Sequence, residues 1–218
     1  MLLFSVGCTG LIDFHSPRTQ SAHSLESNLH RYDLHREISG EMLASGCFGC
    51  HGYLGQSRRD AIPSLAGLSE AYFMEVMEAY RHGGRLGTVM GRIALGYSQE
   101  ETGLLARYFA AQETVPVRQR VDRALARQGK RLHRQFCREC HGDRSQPADE
   151  KSVLLNGQWM NYLRWTLHDY LVGINQTDRE MSQQLSALVR HHGEEGLEAL
   201  VHYYGGSYPQ KQSTNERE

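Results

Sequence analysis

Cysteine, net charge and long apolar runs are all scarce in this chain, and each scarcity excludes something. Of 218 residues only five are cysteine. Four of those five fall into two short motifs, leaving Cys8 alone, so a disulfide framework is unsupported. The formal net charge is −1, so no global field draws the chain to nucleic acid. No apolar run reaches the roughly eighteen residues that a membrane-spanning helix needs. No Gly-x-Gly-x-x-Gly segment follows a strand-like run, so a flavin or nucleotide cofactor has no evident site here. The alternation of apolar and polar residues that marks strands is missing throughout.

What is present is one pentapeptide pattern, twice: Cys47-Phe48-Gly49-Cys50-His51 and Cys137-Arg138-Glu139-Cys140-His141. Cys-x-x-Cys-His is the attachment pattern of c-type haem. Two thiols add across the vinyl groups, and the adjoining histidine becomes the proximal iron ligand. Two covalent haems also suit a hydrophobic content of only 39%, because each porphyrin supplies apolar core that side chains then need not provide. Zinc pairs usually lie much closer in sequence than these two motifs, and no βαβ pattern of a thioredoxin-like redox pair surrounds either one.

Sliding the chain over itself by 90 positions aligns more than the motifs. Leu65, Gly67, Tyr72, Tyr80 and Gly83 fall on Leu155, Gly157, Tyr162, Tyr170 and Gly173; after short slips Leu105, Tyr108 and Phe109 meet Leu200, Tyr203 and Tyr204. A period this long is a duplicated domain, not a solenoid repeat. The expected organisation is an all-α protein of two tandem cytochrome c-like domains, each wrapped around one haem: a leader over 1–36, a first domain over 37–112, a linker over 113–119, a second domain over 120–208 and a polar tail over 209–218. Pro116 blocks helix continuation in the linker, and the flanking valines favour an extended crossing. So short a linker separates two cores by only roughly 20–25 Å, which makes the haems neighbours.

Local signals predict the helices. Ser69 is placed to cap a helix to about Arg81, with Tyr72, Phe73, Val76, Met77 and Tyr80 at helical spacing. Ser98-x-x-Glu101 forms a capping box for a helix through Ala111. In the second half Val121, Ala124, Leu125, Leu132 and Phe136 mark a helix leading into the motif, followed by helices over 159–172 and 194–204.

The second axial ligand of such a haem is commonly methionine, whose thioether favours reduced iron and raises the potential. Met90 lies 39 residues beyond His51, in what reads as a loop between Gly87 and Gly91, and Met181 lies 40 beyond His141. Met42 is too close to the proximal side, Met74 and Met77 read as core filler, and Met160 suits packing at a helix start. The expected iron ligands are therefore His51 with Met90 and His141 with Met181. A methionine in both halves speaks against a peroxidase, which needs an open iron position. Pro63 supplies either a carbonyl that fixes the proximal imidazole or a stiff loop; Val153 stands at its repeat position, so another residue serves there.

The amino-terminal residues Met1 to Cys8 read either as the end of a clipped export signal or as an ordinary disordered leader; lipid attachment at Cys8 is disfavoured by the weak lipobox. Residues 9–36, with His15, His23, His30 and His35, read as a solvated extension, with a metal-binding tail as the lesser alternative. The basic stretch from Arg118 to Arg138 reads as a solvated helix face, with docking of an acidic partner as the alternative.

The stretch Thr88-Val89-Met90-Gly91-Arg92-Ile93-Ala94-Leu95-Gly96-Tyr97-Ser98, with Met74 to Tyr80 before it, resembles the dihaem cytochrome subunit of flavocytochrome c sulfide dehydrogenase. So do Gly157-Gln158-Trp159, Tyr162-Leu163 and Gly196-Leu197-Glu198-Ala199-Leu200 in the second half. The resemblance spans about 38–206 and extends to the tandem dihaem cytochromes c. It implies a periplasmic electron-transfer subunit, bound as a heterodimer to an FAD-containing sulfide dehydrogenase chain and passing electrons to a soluble acceptor. The same resemblance places the axial methionines at Met90 and Met181. The alternative is a free dihaem carrier serving a terminal oxidase.

Overall fold

A computed structural model of the chain describes residues 38–142 and 155–206. The readings made for the leader and Cys8, for Val153 and for the polar tail lie outside these residues.

Ser39 starts the first half: its side chain accepts from the Met42 amide at 3.1 Å and caps α1 (Gly40–Ala44). A 3-10 turn, Ser45–Cys47, carries the chain into α2 (Phe48–His51), so the whole motif is wound as one short helical run. There follow α3 (Glu70–Arg81), α4 (Thr88–Leu95) and α5 (Gln99–Ala110). The second half contains α6 (Arg123–Phe136), α7 (Arg138–His141), α8 (Met160–Leu171) and α9 (Arg179–Gly206), the last broken at Gly193. No strand occurs among the described residues, and the fold is all-α.

The capping signals act as their chemistry requires. Ser69 accepts from the Tyr72 amide at 3.3 Å. The Ser98 hydroxyl accepts from Glu101 N at 3.1 Å while the Glu101 carboxylate accepts from Ser98 N at 2.8 Å, completing the box. Ser98→Ala should therefore destabilise the chain by about 1 kcal/mol in a thermal melt, through fraying of α5.

Two helices differ from the sequence expectation. Met90 is not in a loop: Gly87 caps α4, and Gly91 lies inside it, its amide donating to the Gly87 carbonyl at 2.8 Å. Gly91 inside the helix argues against it locally, but Gly87 at the cap lets α4 start against the Tyr80 ring, which a Cβ there would overlap. The last helix also begins much earlier than residue 194. The piece before Gly193 is not among the expected helices; it meets the expected one at Gly193, whose φ is 63.

The repeat is visible in the backbone. Gly52 and Gly142 both have positive φ (80 and 68), as do Gly67 and Gly157 (76 and 77). Gly67 N donates to Phe109 O at 2.9 Å, and Gly157 N to Tyr204 O at 3.0 Å, the same bond in each half. In each half the helix before the motif also crosses the last helix at a glycine. A Cβ on Gly40 would meet the Leu104 carbonyl and stand 3.2 Å from Tyr108 Cβ; on Gly129 it would meet the Ala199 carbonyl and stand 2.7 Å from Tyr203 Cβ.

Everything described lies in one compact unit starting at Ile38. Its core has two clusters, one around Phe73, Met77, Leu105 and Phe109, the other around Leu163, Leu188, Leu200 and Tyr204. Polar bonds stitch the halves along a seam. The Gln158 amide accepts from Ser64 N at 3.0 Å and donates to Ser64 O at 3.2 Å. Trp159 Nε1 donates to Ser57 O at 3.2 Å, and Gln176 N to Gly84 O at 2.9 Å.

Candidate haem-binding site

Helix α2 ends at His51, which is 8% exposed. Its Nδ1 lies 2.8 Å from the Pro63 carbonyl oxygen. A carbonyl only accepts, so Nδ1 carries the proton and Nε2 keeps its lone pair for a metal. Burial lowers the imidazole pKa, with the Pro63 bond opposing it, so burial favours the neutral, ligating form. Of the two readings of Pro63, the geometry is that of the orienting carbonyl.

The four motif cysteines are free thiols. Burial, and secondarily Cys50, pushes Cys47 up to about 11. Burial likewise raises Cys137 to about 11, against a hydrogen bond from Tyr204. Both stay protonated at neutral pH, unlike the low-pKa thiolates of disulfide exchange. Among the described residues no three His, Cys, Asp or Glu side chains converge as a metal site on their own.

A cavity of about 400 Å³ runs beside these motifs, within the roughly 300–1,000 Å³ of cofactor pockets. It brings together His51 and Met90 from the first half with Cys137, Cys140, His141 and Met181 from the second. Cys47 and Cys50 are not on its wall; Cys47 is partly buried and Cys50 is exposed. Met77 also reaches the wall, but it is 4% exposed and packed in the first core cluster. Met160 is likewise core, and Met42 is 57% exposed.

The residues fit a covalent haem. The cavity is walled largely by Leu, Phe and Tyr side chains, an imidazole is held in the ligating tautomer, and thioethers stand on the same wall. A haem c held here would be gripped by Cys137, Cys140 and His141, with methionine as the second ligand, and would supply one-electron chemistry at iron.

One contributor went unread in the sequence. His133, 1% exposed on α6, has its Nε2 2.9 Å from the Gly142 carbonyl and its Nδ1 3.1 Å from the Tyr204 hydroxyl. It thereby ties the turn just after His141 to the last helix. Its only sequence signal was a histidine in the apolar stripe between Leu132 and Phe136.

No protein-family model matches the chain. It is 45% identical over 73 residues to the cytochrome subunit of sulfide dehydrogenase from Chlorobaculum tepidum, a match covering 34% of this chain and 66% of that one. It is 36% identical over 78 residues to cytochrome c-554(548) from Halomonas halodenitrificans, covering 34% of this chain and 94% of the relative. The solved structure of reduced cytochrome c4 from Pseudomonas stutzeri superposes with a TM-score of 0.68 at 25% identity, covering 78% of this chain and 97% of that one. With two haem motifs on a doubled helical fold, the chain belongs to the cytochrome c family, within its dihaem group.

Proposed function

We propose that this cytochrome is the electron-transfer subunit of a sulfide-oxidising flavocytochrome, working in the periplasm. Its halves, 37–112 and 120–208 around the 113–119 linker, each hold one haem. Cys47 and Cys50 attach the first, ligated by His51 and Met90; Cys137 and Cys140 attach the second, ligated by His141 and Met181. A partner chain carrying FAD removes two electrons from sulfide, and this chain passes them singly to a soluble acceptor. The observation that carries the reading is one cavity lined by candidate ligands from both halves, which suits relay between adjacent sites. The 45% identity to a sulfide dehydrogenase cytochrome subunit supports the choice of partner.

Each half contributes specific work. Pro63 orients the first imidazole, and Met90 and Met181 offer thioethers on the cavity wall, which supports a raised potential. No helix of the described residues is long and apolar enough to cross a membrane.

Co-expression with a flavoprotein sulfide dehydrogenase chain should yield an equimolar complex containing FAD, in which sulfide reduces both haems. A stable, flavin-free chain that sulfide plus the flavoprotein cannot reduce would contradict the proposal. It would favour the second reading, a free carrier serving a terminal oxidase, for which the end-to-end likeness to cytochrome c4 speaks.

A further inference from the structure

Arg85 is the only Arg or Lys buried among the described residues, at 7% exposure. It sits on the seam, in the loop between α3 and α4, and its neighbours are aromatic. Nη2 donates to the Tyr162 hydroxyl of α8 at 2.8 Å, and the guanidinium carbon lies 5.3 Å from the Tyr80 ring centroid. Tyr72 adjoins it as well. Tyr72, Tyr80 and Tyr162 all line the shared cavity, so the guanidinium stands directly behind that wall. The charged residues on the wall itself are acidic, Glu75, Asp178 and Glu180, with no Lys or Arg.

A buried, always-protonated cation held by phenols and not by a carboxylate is costly, and its field is little screened. The repeat sharpens the point. Asn175 stands where the second half would have this arginine, and both residues close the same turn: Arg85 N donates to Ala79 O, Asn175 N to Asp169 O. Asn175 is 2% exposed, and its Nδ2 has no hydrogen-bond partner among the described residues. Where the first half has Ala79, the second has Asp169, whose charge acts on Tyr80. One half therefore contributes a cation to the seam and the other an anion.

Resting on the haem assignment above, we propose that Arg85 sets the reduction potential of the haem pair, as the buried positive charge toward which the cavity takes up electrons. It is a positioning residue: it acts through its field and through Tyr72 and Tyr162. Reduction adds negative charge to the cavity, so a nearby cation favours the reduced state. Asp169 opposes it.

The test is a spectroelectrochemical titration of the full haem-loaded chain, after haem content has been measured. Arg85→Gln should lower the mean of the two midpoint potentials, Arg85→Lys should restore at least half of that drop, and Asp169→Asn should raise the mean. An Arg85→Gln chain carrying both haems at unaltered potentials would overturn the inference, as would failure of lysine to rescue. If Arg85→Gln does not load haem, an Asp169→Asn chain with no upward shift overturns it. A wild-type chain without two haems would instead sink the haem assignment, a separate failure.

Discussion

Met90→Ala should leave two covalent haems on the chain, remove half of the methionine-to-iron absorbance, and drop one of the two potentials by on the order of 0.1 V or more, within the roughly 0.8 V that axial ligands control. On the proposed assignment covalent attachment does not depend on the sixth ligand, because Cys47 and Cys50 would make the bonds to the vinyl groups. The thioether is what favours ferrous iron, so its loss is felt as potential. Met77→Ala is the informative contrast. Met77 is 4% exposed in the core with Phe73 and Phe109, so truncating it should cost about 2–5 kcal/mol of stability while the absorbance band persists. Were Met77→Ala to lose the band and Met90→Ala to keep it, the two methionines would have been assigned the wrong way round.

Gly129→Val should be the most disruptive single change in the second half. Helices α6 and α9 touch there backbone to backbone: an added Cβ would meet the Ala199 carbonyl oxygen and lie 2.6 Å from its carbon. Neither atom is the end of a flexible side chain, so the helices must separate. Overpacking of this kind costs about 3 kcal/mol, a fall in melting temperature on the order of 6–12 °C for a compact unit of this size. Gly103→Ala in α5 serves as control. A Cβ there would find only Arg107 Nη1, at 3.6 Å, so the change should be neutral or stabilise by up to about 1 kcal/mol. A melt that moved equally for both would mean that helix propensity, and not the close crossing, is what these glycines govern.

These contrasts also show where reading from residues stops. The doubled motif, the long repeat and the caps at Ser69 and Ser98 were legible because each is a local pattern with its own chemistry. Helix α4 was not, since Gly91 carries a local penalty inside it and the fit of the capping Gly87 against the Tyr80 ring cannot be read from sequence. The helix before Gly193 was also missed, because the break there, at positive φ, separates it from the piece whose helical pattern was legible. Gly40 and Gly129 could not be recognised as crossing points, because only the approach of a distant helix distinguishes them from any other helical glycine. The Pro63 carbonyl was foreseen as one of two possibilities, and the 2.8 Å distance to His51 selects it. Arg85 had no signal at all, for burial of a lone arginine depends on the seam between the halves.

The intact mass of the purified full chain, read beside its reduced and oxidised spectra, probes the whole scheme most directly. It should exceed the polypeptide mass by two haems, with methionine-to-iron absorbance corresponding to both irons. A mass increment of one haem or none would contradict the assignment of twin covalent sites at Cys47–Cys50 and Cys137–Cys140.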